Sequence, residues 1–233
     1  MNEMRVEISF GTIEKPPIHS IQSFIYQCLH EEDKEYATFI HKEGIKHKWK
    51  SIKPFIFSHP YIKKDNKCYI KVSSLDSFFN YNFFSGLNKI MFKKNNAIIK
   101  PESIRIINIP KIKYDSNGNT QQNMFFISPL LVKSNSGYIK DPDDEKFLQI
   151  LKKNLIDKYL AINKKECTND TFSIFLKDKT PKLKIYKKEE LPVFLSKFVL
   201  ISSKELFNIA YYLGLGCKNA LGFGMIEFDR EDL

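Results

Sequence analysis

Apolar positions along the chain follow two rhythms. In "MRVEISF", Met4, Val6, Ile8 and Phe10 alternate with polar residues, the period of a half-buried strand. In "SIQSFIYQCL", Ile21, Phe24, Ile25, Cys28 and Leu29 recur at i, i+3, i+4, i+7, i+8, the stripe of an amphipathic helix. "DKEYATFIHKEG" repeats a shorter stripe of Tyr36, Ala37, Phe39 and Ile40 and ends at Gly44, a natural C′ glycine. The period then becomes two. "PFIFS" and "KCYIKV" predict strands, "SLDSFFNYNFFSGL" a helix stopped at Gly86, and "ESIRIINIP" a returning strand; the intervening "KIMFKKNNAIIK" fits neither period cleanly.

Residues 111–123, "KIKYDSNGNTQQN", abandon apolar periodicity and read as a boundary or hairpin. Beyond them "MFFISPLLV" predicts a strand. "DPDDEKFLQILKKNLIDKYLA" predicts a helix with Asp141 as cap, Pro142 at N1, Asp144 at N3, and a buried stripe of Phe147, Leu148, Leu151, Leu155 and Tyr159. "TFSIFL", "KLKIY" and "VFLSKFVLIS" read as strands. "SSKELFNIAYYLG" reads as a helix capped by Ser202 or Ser203 and ended by Gly214, and "FGMIEF" as a closing strand. Each half therefore reads β, α, β, β, α, β. The expected fold is α+β, two tandem ferredoxin-like domains over residues 1–115 and 116–233.

Charge narrows the partner. Lys plus Arg exceeds Asp plus Glu by 37 to 27, which points to an anionic partner such as nucleic acid or a membrane surface. Arg5, Arg105 and Arg230 are the only arginines, so phosphate contacts by lysine should outweigh bidentate reading of bases. The cysteines, Cys28, Cys68, Cys167 and Cys217, form no CxxC pair, which argues against a zinc knuckle or a disulfide framework. The N-terminus has acids where a signal peptide is apolar, and no run suits a spanning helix, so a cytoplasmic protein is expected.

"GLGCKNALGFG", residues 214–224, holds four of the nine glycines. Gly214 is explained by helix termination. Gly216, Gly222 and Gly224 admit two readings: a tight loop packed on the protein's own sheet, or a groove for a phosphodiester backbone with Lys218 and Asn219 nearby. The spacing is neither that of a P-loop nor that of a dinucleotide fingerprint.

These segments, in this order, resemble the CRISPR-associated repeat endoribonucleases of the RAMP superfamily. The resemblance rests on "SFIYQCLH", "YATFIHKEG", "KPFIFS", "ISPLLV", "DPDDEKFLQILKKNLIDKY" and above all the loop "GLGCKNALGFGMIEF". It implies metal-independent cleavage of precursor CRISPR RNA within each repeat, leaving a 2′,3′-cyclic phosphate and a 5′-hydroxyl, with no cofactor. A non-catalytic RNA-binding subunit of an effector complex is the alternative. Repeat RNA is the implied partner, and the family also allows other effector subunits and a homodimer. The family's Tyr, His and Lys match Tyr26, His41 and Lys53, with Lys48 and Lys50 competing for the lysine position.

The helical stripes bear on these matches. At 100° per residue, Tyr26 falls roughly 140°, and His41 about 120°, from the centre of its helix's apolar face, so neither is expected in the core. A surface histidine is the bland alternative for His41. For transesterification, His41 suits general acid/base work, Tyr26 orientation or activation of the 2′-hydroxyl, and Lys53 charge stabilisation. The basic run Lys46, His47, Lys48, Trp49 and Lys50 suits RNA binding by charge and stacking, as do Gly214, Gly216, Lys218, Asn219, Gly222 and Gly224 on the groove reading. Asp141, Asp143, Asp144 and Glu145 suit helix capping better than a metal.

Overall fold

The computed structural model describes residues 3–92, 99–186 and 188–229. The chain forms two compact units, Met1–Asn108 with Ala220–Gly222, and Ile109–Asn219 with Phe223–Leu233.

The first unit contains β1 (Met4–Phe10), α1 (Ile18–Glu32), α2 (Lys34–Lys42), β2 (Ile45–His47), β3 (Lys50–Ile52), β4 (Phe55–Phe57), β5 (Tyr61–Ile62), β6 (Cys68–Ser74), α3 (Ser77–Phe92) and β7 (Ser103–Ile106). Its main sheet runs β4-β6-β1-β7, antiparallel throughout, with β5 also pairing β6. The first long strand thus lies between the third and the fourth, as a ferredoxin-like unit requires.

The buried residues of α1 are Ile21, Phe24, Ile25, Cys28 and Leu29, the stripe read from the sequence. Other elements depart from expectation. β1 is buried along both faces rather than one. Its second face carries Glu7, which accepts from the Tyr61 hydroxyl at 2.5 Å, Lys63 Nζ at 2.5 Å and Arg105 Nη2 at 2.9 Å. Burial raises the Glu7 carboxyl pKa, but these hydrogen bonds and the charges of Lys63 and Arg105 outweigh it and hold the group below its usual range.

Gly86 does not stop a helix. It lies inside α3, where an added Cβ would sit 1.7 Å from the Cys28 carbonyl oxygen. The glycine serves close approach of α1 and α3, which local sequence cannot distinguish from termination. The helix continues through "KIMF"; residues 93–98 of the ambiguous segment lie outside the described residues. In α2 only Ala37 and Ile40 are buried, and Phe39 is 41% exposed, because a nine-residue helix presents a narrow face. Gly44 at φ +70 closes α2, donating its N–H to Phe39 O at 2.9 Å.

The second unit contains β8 (Asn119–Phe126), β9 (Lys133–Ser134), β10 (Gly137–Tyr138), α4 (Glu145–Asn163), β11 (Phe172–Leu176), β12 (Lys182–Tyr186), β13 (Glu189–Val193), β14 (Lys197–Ser203), α5 (Lys204–Leu213) and β15 (Ile226–Phe228). Its sheet, β11-β14-β8-β15, repeats the antiparallel order of the first. β9–β10 and β12–β13 form separate two-stranded hairpins.

Here too the structure corrects details. β8 begins at Asn119, inside the stretch read as a boundary, because its register with β14 runs from Asn119↔Ser203 to Phe125↔Lys197. Backbone pairing tolerates the polar side chains that hid the strand. Asp144 rather than Asp141 is the N-cap of α4, accepting from Lys146 N at 2.8 Å, while Asp141 accepts from Asp143 N at 2.9 Å in the preceding turn. Leu148 is 38% exposed. Ser203 caps α5, and Gly214 at φ +79 follows it. "VFLSKFVLIS" is divided between β13 and β14, with Phe194 bridging to Leu130.

Candidate active site and glycine-rich loop

Tyr26 projects from α1 and His41 from the last turn of α2. Their rings meet edge to face, with centroids 4.8 Å apart and planes at 83°. Lys53, just after β3, donates from Nζ to the His41 carbonyl at 3.0 Å. Three residues spread over 28 positions of sequence thus converge within the first unit. His41 is exposed, while Tyr26 and Lys53 are half-buried.

Tyr26 also packs edge-on against Phe55 at 5.8 Å and borders the hydrophobic core, closer to it than its helical angle predicts. That burial pushes its phenol up to about 12. The hydroxyl therefore stays protonated near neutrality and is suited to donating a hydrogen bond. Burial also lowers the Lys53 ammonium, against the opposing charge of Glu43. The group of neutral phenol, solvent-accessible imidazole and partly desolvated ammonium has the parts that phosphoryl transesterification needs.

The run 46–50 folds as the β2–β3 hairpin, with Lys46↔Ser51 and His47↔Lys50 in register. Lys48 takes φ +52 at the turn, and Trp49 beside it is 78% exposed. Lys50 Nζ lies 5.2 Å from the Trp49 ring centroid. Of the three competing lysines, it is Lys53 that reaches the His41 carbonyl.

The loop 214–224 has its own internal logic. Gly214, Gly216, Gly222 and Gly224 are all buried, with φ of +79, +68, +84 and +78. A Cβ at Gly216 would lie 2.3 Å from Leu131 O, and one at Gly224 2.0 Å from Leu215 O. These two glycines let the loop backbone touch other backbone of the same unit. Asn219 Nδ2 donates to Leu215 O and Phe223 O, both at 2.9 Å. Lys158, buried on α4, donates to Gly214 O at 2.6 Å and approaches Gly216 O at 3.4 Å. Lys218 at φ +58 lies over the rings of Tyr138 and Tyr186, at 5.3 and 5.7 Å, and 3.5 Å from Glu189.

The loop tip, Ala220–Gly222, counts with the first unit. There Gln22 Nε2 donates to Ala220 O at 3.1 Å, and a Cβ at Gly222 would meet Phe57 at 3.0 Å and His59 at 3.3 Å. Gln22 lies one helical turn before Tyr26, so one face of α1 carries both the tip contact and the phenol. Gln22 and Lys158 lie outside the residues that periodicity and motif single out. The i, i+4 spacing to Tyr26 was a signal for the first; no sequence signal marks the second. Among the described residues no group of three His, Cys, Asp or Glu is arranged to hold a metal ion. Among them, too, no helix is long and apolar enough to cross a membrane.

A family model described as "CRISPR associated protein Cas6, C-terminal" matches residues 110–228. The "CRISPR-associated endoribonuclease Cas6 1" of Methanocaldococcus jannaschii is 26% identical over 249 aligned residues, covering 96% of this chain and 92% of that protein. The solved structure of a Cas6-related gene product from Pyrococcus furiosus superposes with a TM-score of 0.76 at 20% identity, covering 99% of this chain and 100% of that one. A RAMP protein described as binding different RNA substrates superposes with a TM-score of 0.74 at 18% identity, covering 97% and 100%.

Proposed function

This chain belongs to the CRISPR-associated Cas6 family, and from that premise we propose that Tyr26, His41 and Lys53 form the active site of an endoribonuclease. Its activity is cleavage of precursor CRISPR RNA within the repeats. The observation that supports this site is the edge contact of Tyr26 with His41, with Lys53 held on the His41 carbonyl.

The ribose 2′-oxygen attacks the adjacent phosphorus in line and the bond to the 5′-oxygen breaks. The products carry a 2′,3′-cyclic phosphate and a 5′-hydroxyl. His41 transfers protons, as the exposed imidazole that meets the Tyr26 ring. Tyr26 orients the reacting oxygens as a hydrogen-bond donor, since its raised pKa makes it a poor base at neutrality. Lys53 offsets charge building on the phosphoryl oxygens. No metal takes part.

RNA is held by phosphate contacts from Lys46, Lys48 and Lys50 of the hairpin, with His47 and Trp49 beside them, and from Lys218 of the loop, while Asn219, whose amide hydrogens are taken by Leu215 O and Phe223 O, serves by holding the loop in shape. Gly214, Gly216, Gly222 and Gly224 act on RNA by shaping that loop.

The test is incubation with a repeat RNA of the host in excess EDTA, with analysis of the product ends. Cyclic phosphate formation in EDTA should persist, and His41→Ala should slow it by about 10²–10⁴-fold with RNA binding kept. Cleavage abolished by EDTA and indifferent to His41→Ala would reject the site.

A further inference from the structure

Trp49 is the only tryptophan of the chain and sits at the turn of the β2–β3 hairpin, 78% exposed. An indole normally contributes by burial, and this one is left in water with the Lys50 ammonium near its ring. Its sequence neighbours Lys46, Lys48 and Lys50 are cationic rather than apolar, which favours an anionic occupant over a protein surface.

The hairpin is tied to the active site at its base. Gly44 has no room for a Cβ, which would lie 2.8 Å from Ile52 O; Ser51 Oγ donates to Glu43 O, and Lys53 reaches His41 O at 3.0 Å. Trp49 precedes Lys53 by four residues. At about 3.3 Å per residue these span at most roughly 13 Å, the length of about four stacked nucleotides. Whatever stacks on the indole is therefore close to the cut.

A base inside a duplex has both faces covered by its neighbours, whereas an unpaired base offers a face to an aromatic ring. We propose that Trp49 stacks on one unpaired base within a few nucleotides of the scissile phosphate, so that the substrate is single-stranded there. The proposal rests on Tyr26, His41 and Lys53 being the cleavage site, and its test reads binding separately from cleavage.

The probe is a host repeat RNA with 2′-deoxyribose at the scissile nucleotide, which lacks the attacking oxygen, titrated into the full-length wild-type protein. Because Trp49 is the sole indole, its emission should be quenched in step with binding followed by anisotropy of a labelled RNA end. Annealing a complementary strand across the cut should abolish the quench. Trp49→Ala should weaken affinity at least about fivefold and Trp49→Phe should restore most of it. With cleavable RNA, Trp49→Ala should raise KM and leave kcat nearly unchanged.

Saturated anisotropy with unchanged emission overturns the proposal, as does a Trp49→Ala protein of unaltered affinity. A changed oligomeric state in Trp49→Ala with RNA affinity intact would assign the indole to a protein contact, and also overturns it. Failure of the catalytic site shows elsewhere, as cleavage that survives His41→Ala.

Discussion

The phenol of Tyr26 meets the imidazole of His41 edge to face, with ring centroids 4.8 Å apart. Because the contact is between rings, the phenylalanine side chain can keep it while losing the hydroxyl. Tyr26→Phe should therefore melt within about 1 kcal/mol of wild type, yet cleave on the order of 10²-fold more slowly in single turnover. Equal rates would remove the hydroxyl from the reaction.

Tyr26 also predicts an alkaline effect. Its folded pKa is raised by burial from 10.0 to about 12, so folding favours the neutral phenol. The stability this contributes is fully present below pH 10 and is lost as pH rises through about 12. The difference in stability between wild type and Tyr26→Phe, followed by denaturant titration, should shift against wild type across that window. Tyr159, also raised to about 12, is common to both proteins and cancels.

Gly86 and Gly118 separate two costs of adding a methyl group. At Gly86 the Cβ would lie 1.7 Å from Cys28 O, so α1 and α3 must part. Gly118 has nothing within 4 Å but sits at φ +74. Gly86→Ala should cost about 3 kcal/mol or more and Gly118→Ala about 1–2, read from melting curves. Gly86→Ala should also lower cleavage in the surviving folded protein, because α1 carries Tyr26.

Lys158→Met should destabilise the fold by about 2 kcal/mol, since the ammonium serves the Gly214 and Gly216 carbonyls from a buried position. RNA affinity should fall with it while kcat at saturating RNA stays near wild type. That split in steady-state kinetics would separate loop support from chemistry. Unchanged stability and affinity would remove Lys158 from the support of the loop.

Much of this was legible from periodicity. The α1 stripe appears as the buried set, and both halves have the strand order implied by their β, α, β, β, α, β rhythm. The errors share a cause. Gly86 looked like a stop and serves a helix contact, and polar Asn119–Asn123 looked like a loop and form a strand. In each case the deciding partner, Cys28 O or β14, is remote in sequence. Gln22 and Lys158 stayed hidden because their acceptors are carbonyls 198 and 56 or more residues away.

By itself, the sequence determined the buried stripe of α1, the approximate place of each helix and which side chains can carry acid/base chemistry, because those follow from local spacing and side-chain chemistry. Only the tertiary structure decided that Tyr26, His41 and Lys53 meet, and that the loop glycines touch the protein's own backbone. Those relations depend on long-range packing, which burial and backbone pairing select and no local period encodes.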